Sequence, residues 1–492
     1  MFASRVEHAL LSDRLDAEHF RPDLIHLERE VTQSGLRRSA LDELRQRDAT
    51  ITYGIVQPGE FVADGAGVRI VRCTDLGDMS VNTANLRWVA PEIDRPYARS
   101  RVRRGDVLIG IAGSVGVVGI VPEGMEPANL NQSVARVRCR TIEDGQWTAA
   151  FLSSKYGQGV LARRAVGAVQ QHLNIADLPA VPVPMPHERV VGYVGSKVRQ
   201  AEVLREWARS TESRFREAVA VEVPDATGRG RQSRVSSDDL DLGLNPGRFT
   251  PDRLEVRRAL SRNGARLLES FATIAADNIA SPSPDARYLG LEGISTSSID
   301  IMLQRFAGAG VSGTCRALPR GAAISKLRPY LNKAVFVPRD HGQFVGSTEL
   351  LCVRSETVHP GYVYGVLKLD TTVRQLNPVA SGATHPRVGA DEVLDLLVPW
   401  RDDHEALGES LERAQQSYFA ARALVTGARL LVEALIERKI TETELIAADK
   451  DADADRALLA RLAEDGLDGA GAPLFSDLDG LAHLFHEATK NR

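Results

Sequence analysis

Most of this 492-residue chain is written twice. The stretch RLDAEHFRPDLIHLEREVTQSG (14–35) aligns with GLNPGRFTPDRLEVRRALSRNG (243–264) at an offset of 229, pairing Leu15 with Leu244, Phe20 with Phe249, Pro22 with Pro251, Asp23 with Asp252 and Gly35 with Gly264. Further on, RRGDVLIGIAGSVGVVGIVP (103–122) aligns without gaps with PRGAAISKLRPYLNKAVFVP (319–338) at an offset of 216, and VGAVQQHLNIADLPAVPVP (166–184) with SGATHPRVGADEVLDLLVP (381–399) at 215. A repeat this long means two copies of one module rather than one large domain.

The copies agree and differ in an informative way. Apolar runs flank the middle segment in both, with Ala322–Ile324 and Ala334–Val337 reading as two short strands, while the tip between them is GIAGSVG in one copy and KLRPYLNK in the other. A duplicated enzyme would keep its polar catalytic residues and vary elsewhere. Here the scaffold is kept and the tips vary, as expected of one frame carrying two reading heads; the competing reading, solvated hairpin loops drifting freely, stays open.

Each module is followed by a long helical pattern. Leu407, Leu411, Ala414, Tyr418, Ala421, Val425, Ala428, Val432 and Leu435 alternate steps of four and three, the period of a coiled-coil seam. Val194, Val198, Ala201, Ala208, Phe215 and Val219 follow the same period, with Arg205 and Glu212 at the two remaining seam positions. Two such helices pair antiparallel as a spacer, or each packs only on its own module's core. A helix over about 188–221 is roughly 50 Å long, longer than one turn of B-DNA at about 34–36 Å.

Composition narrows the function. An N-terminus with acids inside it and no apolar run of 18 residues points to a cytoplasmic protein. Cys73, Cys139, Cys315 and Cys352 stand far apart, as buried small hydrophobes rather than zinc ligands or disulfides. The net charge of −4 is unevenly spread: residues 441–492 hold 12 acids against 5 Lys or Arg, leaving the first 440 residues at +3. Basic clusters there are Arg99, Arg101, Arg103 and Arg104, then Arg163 and Arg164, then Arg229, Arg231 and Arg234. No Walker loop occurs. LNPG (244–247) and LNPV (376–379) lack the aromatic of a methyltransferase loop, PDRLEVR (251–257) is too tightly spaced for a nuclease, and DADAD (451–455) fails as a calcium loop at Arg456 and Leu462.

YGIVQPGE (53–60), VRIVRCTDL (68–76), RRGDVLIGIAGSVGVVGIVPE (103–123), ANLNQSVARVR (128–138), SKLRPYLNKAVFVP (325–338), GSTELLCVR (346–354) and ASGATHPRV (380–388), in this order and with the two helices, resemble the DNA-specificity subunit of type I restriction-modification systems over roughly 14–440. The resemblance implies a mixed α/β (α+β) protein with two target-recognition domains, joined by two long helices pairing as an antiparallel coiled coil. Each domain reads one part of a bipartite double-stranded DNA target. The helices set the gap and dock methyltransferase subunits, two of them expected, and motor-nuclease subunits join the complex, with no membrane involved. No catalysis and no cofactor are implied in this chain; S-adenosylmethionine, ATP and Mg are expected on the partners.

The expected organisation is a first recognition domain over 1–186, a helix over 187–222, a linker over 223–236, a second recognition domain over 237–400, a helix over 401–445 and an acidic helical tail over 446–492. The same architecture could serve another multi-subunit phage-defence system, and a DNA-modifying enzyme would need a hidden metal or cofactor site. The family does not require the tail, in which Gly469, Gly471 and Pro473 interrupt two amphipathic patterns. It contacts a partner subunit or merely solubilises.

Recognition chemistry then selects residues. Arg and Lys pair with guanine edges, Asn and Gln with adenine. In the second module the candidates are Lys326, Arg328, Tyr330, Asn332 and Lys333, with Ser381, Thr384, His385 and Arg387; Arg328 is assigned to a base and Lys333 to a phosphate. In the first they are Gln57, Arg69, Arg72, Thr74, Asn129, Asn131, Gln132, Gln170, Gln171 and His172. Thr384 and His385 could equally cap the turn around Gly382 and Pro386, and Asn129 and Asn131 could close a turn instead of reading a base. Gly105 and Asp106 are assigned to a tight turn.

Overall fold

The structure is a computed structural model that describes residues 17–167, 171–224, 235, 245–311, 313–338, 343–465 and 478–490. Its contacts divide the chain into two compact units, one running to Val203 and taking the chain up again from Ala420, the other built on Leu204–Phe419.

In the first unit the module opens with a 3-10 turn, Ala17–Phe20, and a helix, Pro22–Gln33, with proline at the start where a missing N–H costs nothing. Gly35 lies two residues beyond that helix at φ +84°, a backbone that favours glycine. A four-stranded sheet follows in the order Thr52–Tyr53, Val134–Val137, Val107–Gly110, Val118–Ile120, and beside it a three-stranded sheet in the order Arg87–Val89, Val68–Val71, Ala128–Leu130. The strands of Val107, Val118 and Val134 are buried throughout, and Leu108 and Val134 join one core with Val71, Cys73, Leu76 and Met125. The helices Ile142–Ser153 and Lys155–Arg164 come next, and Pro182–Met185 closes the module by pairing with Arg37–Ala40.

The second unit repeats the main elements of this plan in the same order. Its opening turn and helix are Pro246–Phe249 and Pro251–Arg262, both displaced by the 229 residues of the alignment, and Gly264 has φ +72° where Gly35 has +84°. Its four-stranded sheet runs Thr273–Ala275, Leu350–Arg354, Gly321–Ser325, Ala334–Val337, the same order as before. The parallel pairing of Val68–Val71 with Ala128–Leu130 recurs as Arg287–Leu289 with Phe344–Gly346, although this sheet gains Cys315–Ala317 and Asn278–Ile279. Even a buried hydrogen bond is repeated: Trp147 Nε1 donates to the Pro184 carbonyl at 2.7 Å, and Tyr362 Oη to the Pro399 carbonyl at 3.0 Å. Two different aromatics meet one requirement, a large apolar body with a donor at its end.

Strand register corrects the ungapped middle alignment. Val107 and Ala322 face Val137 and Val353 on one side and Ile120 and Phe336 on the other. The partners are 216 apart but Val107 and Ala322 are 215 apart, so the second tip is one residue longer than the first. Gly105 sits in a turn at φ +81°, whereas Gly321 lies inside a strand. Pairing decides this, because a slip of one residue would turn every side chain of the strand to the opposite face.

The long helices are Glu188–Ala218 and His404–Ile436, of 31 and 33 residues, or about 46 and 50 Å. Their seam residues are buried except Leu407, which is half-buried, and the burial includes Arg205 and Glu212. In the second unit both readings of the seam are partly realised. Tyr418 of one helix reaches Glu212 of the other, while Gln415 Nε2 donates to the carbonyls of Ile299 and Phe336 and Phe215 lies over Gly365, fastening the helices to the module. In the first unit Glu433 and Glu437 receive the Lys155 amide and the Tyr156 hydroxyl. The first part of the tail, Glu442–Ala448 and Ala452–Asp465, also binds its own chain: Asp455 takes the Tyr193 hydroxyl at 2.6 Å and the Lys197 ammonium at 2.9 Å. Gly469, Gly471 and Pro473 lie outside the described residues.

Candidate nucleic-acid interface

In the second module the tip is a 3-10 turn, Pro329–Leu331, set between two left-handed residues, Arg328 at φ +51° and Asn332 at φ +50°. Side-chain-bearing residues adopt this conformation at a cost of about 1–2 kcal/mol, so the surroundings must hold it. They do so through the neighbouring loop. Arg328 N donates to the Pro386 carbonyl at 2.7 Å, Val388 N to the Lys326 carbonyl at 3.0 Å, and Ser381 and Arg387 exchange both backbone bonds. The sequence-separated segments KLRPYLNK and SGATHPR thus form one composite head.

The exposed side of this head carries Tyr330, 49% exposed, with Ser381, Thr384, His385 and Arg387. Arg387 makes a double contact with Glu349, Nη2 to Oε1 at 2.9 Å and Nε to Oε2 at 3.1 Å, and Lys326 Nζ stands 3.9 Å from the same carboxylate. These cations hold the Glu349 carboxyl below its usual range, the Arg387 hydrogen bond first. Arg328 is half-buried, and its Nε has no hydrogen-bond partner among the described residues. Two candidates turn inward instead. The Lys333 ammonium donates to the Leu291 carbonyl, and Asn332 Nδ2 to the Lys368 carbonyl at 2.8 Å. The sequence assigned Lys333 to a phosphate; in this structure its ammonium is engaged at the base of the tip.

The first module builds the same frame from different residues. Gly113 and Gly116, at φ +80° and +84°, supply the left-handed positions, and Gly167 at +101° matches Gly382 at +104°. Leu173 N donates to the Ile111 carbonyl as Val388 N does to Lys326, and Val166 pairs with His172 as Ser381 does with Arg387. Gln171 and His172 are exposed on this loop, and Gln170 lies outside the described residues.

The other first-module candidates divide. Gln57, Thr74 and Gln132 are exposed, and Gln132 N donates to the Ile55 carbonyl at 2.9 Å, which brings the segments of Gln57 and Gln132 together. Asn129 is a correction. It is fully buried, its Oδ1 accepting from Ser100 Oγ and Leu130 N and its Nδ2 donating to Asp94 and the Tyr97 carbonyl, so no edge of it can meet a base. Asn131 Oδ1 takes the amide and hydroxyl of Ser133 and closes a turn. Arg69 lies over the Trp88 ring with Nη1 on the Met125 carbonyl, and Arg72 grips Asp75 with two bonds. Both are half-buried and engaged within the module.

The basic clusters are largely neutralised in the same way. Arg163 and Arg164 share Glu28, Arg101 pairs with Asp94 and Arg104 with Glu123, while Arg229, Arg231 and Arg234 lie outside the described residues. Three residues that sequence reasoning passed over support the tips: Glu349, Gln158 and Lys368. Glu349 lies within the GSTELLCVR motif, but nothing in its spacing announces two cations. Among the described residues no group of three or more His, Cys, Asp or Glu could hold a metal, all four cysteines are buried, and no helix is long and apolar enough to cross a membrane.

No family model matches the chain. Over 232 residues it is 31% identical to the type I restriction enzyme EcoBI specificity subunit of Escherichia coli, a match covering 45% of this chain and 48% of the relative, so the chain spans about half the length of that curated relative. Among solved structures it is similar to a type I restriction-modification S subunit from M. genitalium, at TM-score 0.37 and 10% identity over 83% of this chain and 97% of that one. It is also similar to an HsdS subunit from Thermoanaerobacter tengcongensis, at TM-score 0.25 and 12% identity over 82% and 96%.

Proposed function

We propose that this chain is the DNA-specificity subunit of a type I-like restriction-modification complex, in which each module reads one part of a bipartite double-stranded DNA target. One observation carries the reading: the two modules share strand order, register and left-handed tip positions, yet present different polar residues on the composite head. A frame kept while its exposed residues change is what two independent readers of different sequences require. The 31% identity to a specificity subunit supports the same conclusion.

Within this reading the long helices set the distance between half-sites and dock methyltransferase subunits, and a motor-nuclease completes the complex. S-adenosylmethionine, ATP and Mg are bound by those partners, and this chain supplies the address alone. The residues proposed to face DNA are Arg328, Tyr330, Ser381, Thr384, His385 and Arg387 in the second module, and Gln57, Thr74, Gln132, Gln171 and His172 in the first.

The test is Arg328→Ala in the assembled complex, with affinity measured on the cognate duplex and on single-substituted duplexes at two or more salt concentrations. A base contact predicts a loss of about 1–3 kcal/mol and relaxed preference at one base pair. A phosphate contact predicts uniform weakening and a salt slope smaller by about one unit. Unchanged affinity, preference and slope would make the tip an ordinary solvated turn.

A further inference from the structure

Both tips end on a left-handed residue, Gly116 in the first module and Asn332 in the second. In both, the carbonyl oxygen of that residue is held by a side chain from the helical pair of the same module. Gln158 Nε2 donates to the Gly116 carbonyl at 2.9 Å and to the Leu152 carbonyl at 2.6 Å. Lys368 Nζ donates to the Asn332 carbonyl at 2.8 Å, to Ser295 at 2.6 Å and to Ala334 at 3.4 Å. Three carbonyls match the three donors of an ammonium. Asn332 returns a bond from its own amide to the Lys368 carbonyl.

The two holders are not equivalent in sequence. Lys368 caps the end of Pro360–Leu367, the first helix of its pair, whereas Gln158 lies inside Lys155–Arg164, the second helix of its pair. The carbonyls they hold are equivalent, 216 residues apart. A neutral amide and a cation arriving from different positions at the same oxygen indicate that the oxygen is what has to be held. In the second module the other end of the tip is tied down by Arg328 N on Pro386, so Lys368 completes a two-point fixation of the turn that carries Tyr330.

We propose that Gln158 and Lys368 are positioning residues for the two tips, each fixing the backbone on which the exposed side chains of its own module stand. The proposal rests on the tips being readers. Neither side chain touches DNA in this account; each acts through the carbonyl it holds. Loss of either holder frees one left-handed residue and leaves the other module untouched, so the consequence is confined to one half of the recognised sequence.

The experiment uses Lys368→Met and Gln158→Leu, which keep comparable bulk and remove the donors, in the full chain and in the assembled complex. Amide hydrogen exchange in the full chain reads the grip without reference to DNA. Lys368→Met is expected to speed exchange over 326–333 about tenfold and leave 111–117 unchanged, and Gln158→Leu to do the reverse. In the assembled complex each variant is expected to lose discrimination at one half-site only, by about tenfold, with the salt slope unchanged. Unchanged exchange over the tips, or exchange that rises in both tips with either variant, would overturn the grip while leaving the tips as readers intact. Faster exchange at one tip with full discrimination at both half-sites would instead overturn the tips as readers, and the positioning role with them.

Discussion

Tyr418 donates its hydroxyl to Glu212 at 3.1 Å, and the same carboxylate takes the Ile299 amide at 2.6 Å. Glu212 occupies a seam position where the period calls for an apolar residue. Burial pushes its carboxyl up to about 7, against the opposing pull of the Ile299 amide, Arg216, Tyr418 and Lys368. Between the ordinary value of 4.5 and about 7 the folded chain keeps a proton that the unfolded chain gives up, so stability falls as pH rises through that window. Lys368, whose pKa burial lowers to about 7 from 10.5, adds the opposite trend above that window.

Glu212→Gln is expected to flatten the dependence of the melting temperature on pH between 5 and 7.5. It should stabilise the chain by about 1–3 kcal/mol at the upper end and change little at pH 5. Calorimetric scans of both proteins at four pH values check this; parallel curves would mean Glu212 does not titrate in that window.

Asn129→Ala is expected to lower stability by about 2–4 kcal/mol without altering base preference, because it removes one hydrogen-bond partner each from the buried Asp94, Ser100 and Leu130 N. Denaturant unfolding and binding to single-substituted duplexes separate the two effects. A changed preference with unchanged stability would return Asn129 to the recognition surface.

Lys333→Met is expected to leave the salt slope of DNA binding unchanged, since the ammonium is turned to the Leu291 carbonyl. Affinity for cognate duplex over a range of salt measures it. A slope smaller by about one unit would show that Lys333 swings out to a phosphate.

Gly365→Ala adds a methyl that would meet the Phe215 ring and Leu411. The gain in helix propensity, about 1 kcal/mol, is outweighed by overpacking of about 1–3 kcal/mol. The expected result is a lower melting temperature, partly restored by Phe215→Leu.

The isolated chain is expected to transfer no methyl group and to cut no DNA, with methylation appearing on addition of a methyltransferase partner. Radiolabelled S-adenosylmethionine with the purified chain alone provides the measurement; labelled DNA would contradict the reading.

Much of the fold was legible because a repeat tests itself. Phe20 and Phe249, or Pro22 and Pro251, recur at one offset only if the same local structure is built twice, and both opening helices keep that offset to the residue. Coiled-coil spacing marked the buried faces of the long helices because helical periodicity is a local property. The middle register was not legible: the ungapped alignment equated Gly105 with Gly321, and only cross-strand pairing placed the extra residue in the tip.

The candidate site divided along the same line. Sequence by itself determined that two copies of one frame exist, that their tips differ, and which residues there can hydrogen-bond to bases. Tertiary structure decided which of those groups are exposed and which the fold already engages. Asn129, Arg69, Arg72 and Lys333 have the right chemistry, but residues remote in sequence, Asp94, Met125 and Leu291 among them, take up their donors and acceptors, whereas Asp75 sits only three positions from Arg72. A donor's availability depends on what lies within about 3 Å of it, and that distance is set by packing between segments the chain brings together only when it folds.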